Sequence, residues 1–233
     1  SINDQEVRIK DATSIWGVDA QTTGIILRDR EPGVGRRSII RIGPAGEAGV
    51  RFACVMVDTY RHFGRLGLGA VFGSKNLKAL AVSGTEHVDV PDIKRYKEVY
   101  NRLYKTAVQT EVMEKYHDIG TSVNISVLNW LRGLPTKNFL LSSFPEGEKI
   151  SGEVFAEKHL IRRFSCAGCP IGCVHIAALK TAFSEHHEFE VRRVSYDYEP
   201  IYSLGSNLGV KTAEGILQLI DACERLGLDV MSA

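Results

Sequence analysis

Apolar and polar positions along the chain change period several times, and each change marks an element. Ser38-Ile39-Ile40-Arg41-Ile42 is a β-branched run cut off by Gly43-Pro44-Ala45-Gly46-Glu47, which predicts a strand entering a turn. Upstream, Asp11-Ala12-Thr13-Ser14 precedes an apolar-periodic run with Trp16, Ile25, Ile26 and Leu27, and predicts a short helix. Val50 to Val57 is apolar enough for a buried helix or strand, and periodicity does not decide between them. Leu80-Ala81-Val82 reads as a further strand. From Asp92, a capping residue, Tyr96, Val99, Tyr100, Leu103 and Tyr104 recur at helical spacing, followed by Val108, Val112 and Met113. Such a stripe is expected to face a core. Phe155 to Phe164 is expected to form a helix leading into a cysteine-rich loop. Ser184 to Asp197, with His186, His187, Glu188 and Glu190, reads as a solvated hairpin, because neighbouring side chains on a strand point to opposite faces; metal ligation by the two adjacent histidines is the alternative. A last helix is predicted over Thr212 to Leu226, ended by Gly227 at its C-cap.

Composition narrows the function classes. The 233 residues include 44% hydrophobic and 24% charged, as in ordinary globular proteins, and suffice for one large or two modest domains. A formal net charge of +1 gives no electrostatic reason to expect nucleic acid or an anionic membrane as partner. No apolar run has the length of a membrane span and the first residues lack a signal-peptide profile. Five cysteines, an odd number with Cys54 and Cys223 isolated, form no disulfide framework and fit a reducing compartment, the cytoplasm. Both ends break off beside predicted elements, so the sequence reads as part of a longer protein.

Three stretches carry chemistry. Cys166, Cys169 and Cys173 form a Cys-x2-Cys-x3-Cys run in which Gly168, Pro170 and Gly172 permit a tight loop. Three thiolates from one loop, with a fourth ligand from elsewhere, suit a 4Fe-4S cluster. Two alternatives stand beside it: a zinc ion held with His175 as fourth ligand, and ordinary small core residues. Next, four glycines between Gly64 and Gly73 would let backbone approach a ligand, and Arg65, Lys75 and Lys78 add positive charge suited to a phosphate. The same loop could equally be a structural turn. Finally, Glu199 is a carboxylate among Tyr198, Pro200, Ile201 and Tyr202, where desolvation would raise its pKa and fit it for proton exchange. A structural glutamate is the alternative.

Taken in order, Gly43-Pro44-Ala45-Gly46-Glu47, the stretch from Arg65 to Ala79, the cysteine loop and Arg225-Leu226-Gly227-Leu228-Asp229 resemble the aldehyde ferredoxin oxidoreductase family over essentially the whole chain. The resemblance implies an α+β fold: residues 1–90 as the later part of a β-rich pterin-binding domain, and 91–233 as the start of helical, cluster-binding domains. It implies a tungsten or molybdenum bis-pyranopterin contacted by Arg65, Leu66, Leu68, Gly69, Glu224, Leu228 and Asp229. Glu224 replaces the family's usual aspartate with a longer arm. Cys166, Cys169 and Cys173 fall on cluster ligands, and Glu199 on the acidic residue beside the metal. The fourth cluster ligand and the earliest pterin contacts would lie outside this sequence. Gln218 and Asp221 stand where some members hold a bridging iron with Glu-x-x-His, so the resemblance does not extend to that iron.

The implied activity is oxidation of aldehydes to carboxylic acids, with electrons passed through the cluster to ferredoxin or another electron-transfer subunit. The implied substrate is a small aldehyde or acyl compound, and the family allows a homodimer. The stretch between Cys173 and Glu199 is longer than in the simplest aldehyde enzymes, which brings in a benzoyl-CoA reductase type tungsten subunit as an alternative. A non-catalytic iron–sulfur or zinc module is the other.

Overall fold

The structure, a computed structural model, describes residues 1–58, 61–182 and 189–233. It divides into two compact units, residues 1–88 with 221–233 and residues 89–220.

In the first unit, strand β1 (Arg37–Arg41) is paired antiparallel on both sides. On one side is β4 (Ala79–Ser83), and on the other β2 (Met56–Val57), which continues to β3 (Arg61–His62) in the order β3-β2-β1-β4. The predicted strands at 38–42 and 80–82 are thus neighbours, with Ile40 opposite Leu80. Val50 to Val57 resolves into a turn, a single bridge from Ala53 to Leu228, and β2. Helix α1 (Ala20–Arg30) begins later than the Asp11 signal suggested. The Asp11 carboxylate accepts from Thr13 N and Oγ1 to make only a 3-10 turn, whereas Asp19 accepts from Gln21 N and Thr22 N as the true cap. Short helices α2 (Pro44–Glu47, with proline in its first turn) and α3 (Leu68–Ser74) complete the unit.

Among the described residues of this unit, two cations are buried. Arg41 donates from Nε to Ala20 O at 2.6 Å, and Gly24 of α1 lies on its guanidinium, so close that a Cβ would stand 2.7 Å away. Lys78 pairs with Glu47 and donates to Val18 O at 2.7 Å. The expectation that Lys78 offers its charge to a phosphate is therefore corrected: its ammonium is consumed inside the fold.

In the second unit, α4 (Ile93–Val108) starts at Asp92, whose side chain accepts from Arg95 N, and α5 (Glu111–Asp118) is capped by Thr110. The stripe expected to face a core does not: no residue of α4 is buried, and the Tyr96 and Tyr100 rings stack at 6.2 Å on an exposed face. Helices α6 (Asn124–Trp130) and α7 (Gly152–Lys158) precede a three-stranded antiparallel sheet, β5 (Leu160–Phe164), β6 (Val174–Ala182) and β7 (Phe189–Tyr196), ordered β5-β6-β7. The helix predicted from Phe155 through Phe164 thus ends at Lys158. Leu160 to Phe164 is drawn into strand by pairing with β6, where Phe164 faces Val174. The His186, His187 and Glu188 of the predicted hairpin lie outside the described residues. Short α8 (Tyr198–Ile201) runs into a π-helical turn, Tyr202–Ser206. Helix α9 (Ala213–Leu226) follows, its residues from Asp221 onward belonging to the first unit, and Gly227 stops it at φ +76° as predicted. The core is built from Ile125, Leu134, Phe144, Phe155, Ile176, Val194 and Tyr196, with the Phe155 and Tyr196 rings 5.0 Å apart. Helices stand beside two sheets in which every named strand pair is antiparallel, which is the α+β class. Among the described residues no helix is long and apolar enough to cross a membrane.

Candidate functional site

In the first unit the glycine loop meets the segment after α9. Arg65 Nε donates to Asp229 Oδ2 at 2.8 Å, joining two expected cofactor contacts 164 residues apart. Ser232 Oγ also donates to Asp229 Oδ2. Leu228 is bridged to Ala53, Gly227 O accepts from Cys54 N at 2.8 Å, and Phe52 O accepts from Asp229 N at 2.9 Å. Gly69, buried beside this strip, donates its N–H to Ala53 O at 2.9 Å. Glu224 is only 3% exposed and accepts from Gln21 Nε2 at 3.4 Å, while its neighbour Arg225 reaches Asp19 at 3.2 Å. Leu68 is half-buried, but Leu66 is fully exposed at φ +72° and is not gathered with the others.

Electrostatics within the unit reflect this packing. Burial pulls the Arg41 guanidinium down to about 10; Arg28 adds to the shift, and the charges of Asp58, Glu224 and Asp19 oppose it. Burial, helped by Asp229 and Glu224, pushes the Cys54 thiol up to about 12, so it stays protonated and unreactive. Cys223 is raised by the same causes.

The glycines serve the fold here. Gly67 sits at φ +79°, where a Cβ would clash with Arg51 O, and a Cβ on Gly69 would stand 2.7 Å from Cys54 O. A side chain at either position meets the protein's own backbone before any ligand, so the glycines close the loop onto the 51–54 strip. The expectation of open backbone for a ligand is corrected at Gly67, Gly69 and Gly73, while Gly64 has open space beside it.

The cysteine loop, residues 165–173, is the connection between β5 and β6. Gly168 and Gly172 take left-handed φ values of +73° and +69°, and Cys169 N donates to Cys166 O at 3.0 Å, closing a turn between the first two cysteines. Cys166 is exposed, and Cys169 and Cys173 are intermediate, unlike the buried Cys54 and Cys223. Donor type, tight backbone and accessibility fit a thiolate-bound cluster. The sulfurs themselves are not drawn together: among the described residues no group of three or more His, Cys, Asp and Glu stands arranged to hold a metal ion. His175 is buried and engages His117 O through Nε2 at 2.8 Å.

Glu199 lies in the first turn of α8 and is exposed, so its apolar neighbours in sequence do not enclose it. Its carbonyl accepts from Ser203 Oγ at 2.7 Å. Tyr198 and Tyr202 pack at 4.9 Å, and burial raises the Tyr198 phenol, with the charges of Tyr202 and Glu199 adding to it. The π-helical turn beneath is clamped to residues 135–139. Ser206 Oγ donates to Pro135 O, Lys137 N to Ser206 O, and Asn138 N to Asn207 O, at 2.7, 3.0 and 2.7 Å. Lys137, Asn138 and Phe139 are successive left-handed residues without a glycine among them, a conformation that persists only where neighbours impose it. Sequence reading misses the clamp. The signals were Asn138, a residue tolerant of left-handed φ, and Ser206, whose partner lies 71 residues away.

The sequence matches the family profile described as aldehyde ferredoxin oxidoreductase, N-terminal domain, over residues 1–84, and that for its domains 2 & 3 over residues 96–233. The chain belongs to the aldehyde ferredoxin oxidoreductase family. It is 37% identical over 235 residues to the tungsten-containing aldehyde ferredoxin oxidoreductase of Pyrococcus furiosus, covering 99% of this chain and 37% of that protein. The protein of the same name from Thermococcus kodakarensis is 37% identical over 236 residues, with the same coverage. A second Pyrococcus furiosus protein, described as an aliphatic sulfonate oxidoreductase, WOR-like subunit, is 29% identical over 247 residues, 98% of this chain and 38% of that one. Among solved structures, the active site complex BamBC of benzoyl coenzyme A reductase with 1,5-dienoyl-CoA superposes with a TM-score of 0.71 at 21% identity. That match covers 98% of this chain and 35% of that one, and shows a shared fold. The chain thus spans little more than a third of the length of the curated relatives it matches.

Proposed function

We propose that this chain is a cofactor-holding portion of a tungsten-dependent oxidoreductase that converts small aldehydes to carboxylic acids. The observation that carries the reading is 37% identity, sustained over 99% of this chain, to two proteins named for that activity. Arg65, Leu68, Gly69, Glu224, Leu228 and Asp229 would hold a pyranopterin, the carboxylates taking N–H groups of the ring and Arg65 a phosphate. Leu66 would touch it only at the solvent edge. Cys166, Cys169 and Cys173 would hold three corners of an iron–sulfur cluster, whose electrons would leave to ferredoxin or another electron-transfer subunit.

When bound, the tungsten pterin supplies the two-electron chemistry and the cluster carries electrons singly. Aldehyde and water give acid, two electrons and two protons, so the protein must move protons. That role falls to Glu199, an exposed carboxylate whose Oε atoms accept a proton and return it to water. The likeness to benzoyl coenzyme A reductase, at 21% identity, concerns fold and does not favour aromatic acyl reduction over aldehyde oxidation.

Full-length protein purified anaerobically should contain tungsten or molybdenum, pterin and iron, and reduce ferredoxin with an aldehyde. Glu199→Gln keeps size and hydrogen bonding but removes the ionisable proton, and should cost roughly 100- to 10,000-fold in turnover with metal content unchanged. Protein holding zinc with no iron or tungsten would overturn the reading in favour of a zinc module.

A further inference from the structure

The cysteine loop is tied at three points to a single residue. His117 lies in the last turn of α5, where backbone carbonyls have no donor within the helix. Its carbonyl oxygen accepts from Arg163 Nε at 2.9 Å and from His175 Nε2 at 2.8 Å. Arg163 stands on β5 just before the loop and His175 on β6 just after it, so one oxygen fixes both stems. The His117 side chain reaches the tip: Nδ1 lies 2.7 Å from Ile171 O, between Cys169 and Cys173. A carbonyl oxygen can only accept, so Nδ1 carries the proton. Gly172 lies against the same ring, where a Cβ would come within 3.2 Å of Nδ1.

We propose that His117 is the positioning residue of the cysteine loop, its ring N–H on Ile171 O setting the Ile171–Gly172–Cys173 backbone so that the Cys173 sulfur is presented to the cluster. This rests on the reading of the loop as a cluster site. The geometry assigns different duties to the two ends of the loop. Cys166 and Cys169 are held to each other by their own backbone turn, whereas Cys173 is held by α5 through His117 and serves as the fixed ligand onto which the others close. A side-chain substitution at position 117 leaves the carbonyl contacts to Arg163 and His175 in place. It therefore deletes the tie to the tip and little else.

The test uses full-length protein purified anaerobically, in wild-type form and as His117→Leu, His117→Gln and His117→Asn, with Cys169→Ser as the ligand control. The readouts are iron and sulfide per chain, the electron paramagnetic resonance spectrum of the reduced cluster, the rate of cluster bleaching in air, and the melting temperature of metal-free protein. Loss of an outer partner typically costs 10- to 100-fold in metal retention, so His117→Leu and His117→Gln should load iron but lose it faster by roughly that factor, with an altered spectrum. His117→Asn places an amide N–H as many bonds from the backbone as Nδ1 and should restore retention and spectrum. His117→Leu with wild-type bleaching and spectrum overturns the inference, as does His117→Asn giving no rescue while metal-free melting falls equally in all three variants. Wild-type protein without iron, or full iron in Cys169→Ser, overturns the cluster reading and this inference with it.

Discussion

At Asp229 opposed influences act on one carboxyl. Burial pushes its pKa up, but hydrogen bonds from Ser232 and Arg65, the Arg65 charge and the Met231 amide bring it below the ordinary carboxylate value. Asp19 behaves alike: burial raises it, and bonds from Thr22 and Gln21 with the Arg225 charge lower it overall. A carboxyl with a depressed folded pKa stabilises the fold above its unfolded value, about 3.9, and that contribution disappears as pH falls through the folded value. The urea midpoint should therefore drop on acidification below about pH 4, and Asp229→Asn should flatten part of that drop. An Asp229→Asn profile parallel to wild type at every pH would refute the assignment. Arg65 and Asp229 are both legible in the sequence as members of one site, although nothing in it tells that they touch. Lys78 misleads for a related reason: a lysine near a glycine loop looks available until Glu47, 31 residues earlier, is seen to claim it.

The Lys78–Glu47 pair also joins elements, since Glu47 ends α2, Lys78 leads into β4, and the carboxylate additionally accepts from Gly17 N at 2.8 Å. Removing one partner of a buried pair leaves the other charge uncompensated, at a cost of about 3–5 kcal/mol. Lys78→Met should lower unfolding free energy by that amount in urea titrations. Lys78→Met with Glu47→Leu should recover much of the loss, because well-packed apolar pairs replace buried ion pairs at little cost. A single variant within about 0.5 kcal/mol of wild type, the range of ordinary surface changes, would show that the pair is effectively solvated. Elements with local signals are the ones readable from sequence. Asp92 caps α4 and Gly227 ends α9 because cap chemistry involves residues at most a few positions apart. β5 reads as helix in the sequence because its identity depends on β6, which arrives only after the cysteine loop. The Tyr96 and Tyr100 stripe reads as core-facing because periodicity reports which face is apolar, not what covers it.

On the scale of the whole chain, the first unit is built from two separate stretches, 1–88 and 221–233. Local patterning cannot foretell that return, since the ties are backbone bonds such as Cys54 N to Gly227 O and Asp229 N to Phe52 O. Residues 84–89 are exposed and outside any helix or strand, which makes them the expected site of limited proteolysis. A cut there should yield two fragments that elute together on size exclusion and part only in denaturant, because residues 221–233 remain seated in the first unit. Fragments that separate in native buffer would contradict the arrangement. The same feature bears on synthesis at the ribosome. Residues 1–88 emerge first yet lack the piece that completes them, while residues 89–220 carry everything their own unit contains. At about 5–20 residues per second, the roughly 145 further residues take ~7–30 s to make. The first-made unit must therefore wait open while the second closes, with its 52–54 strip unpaired and accessible to chaperones until residues 221–233 are released.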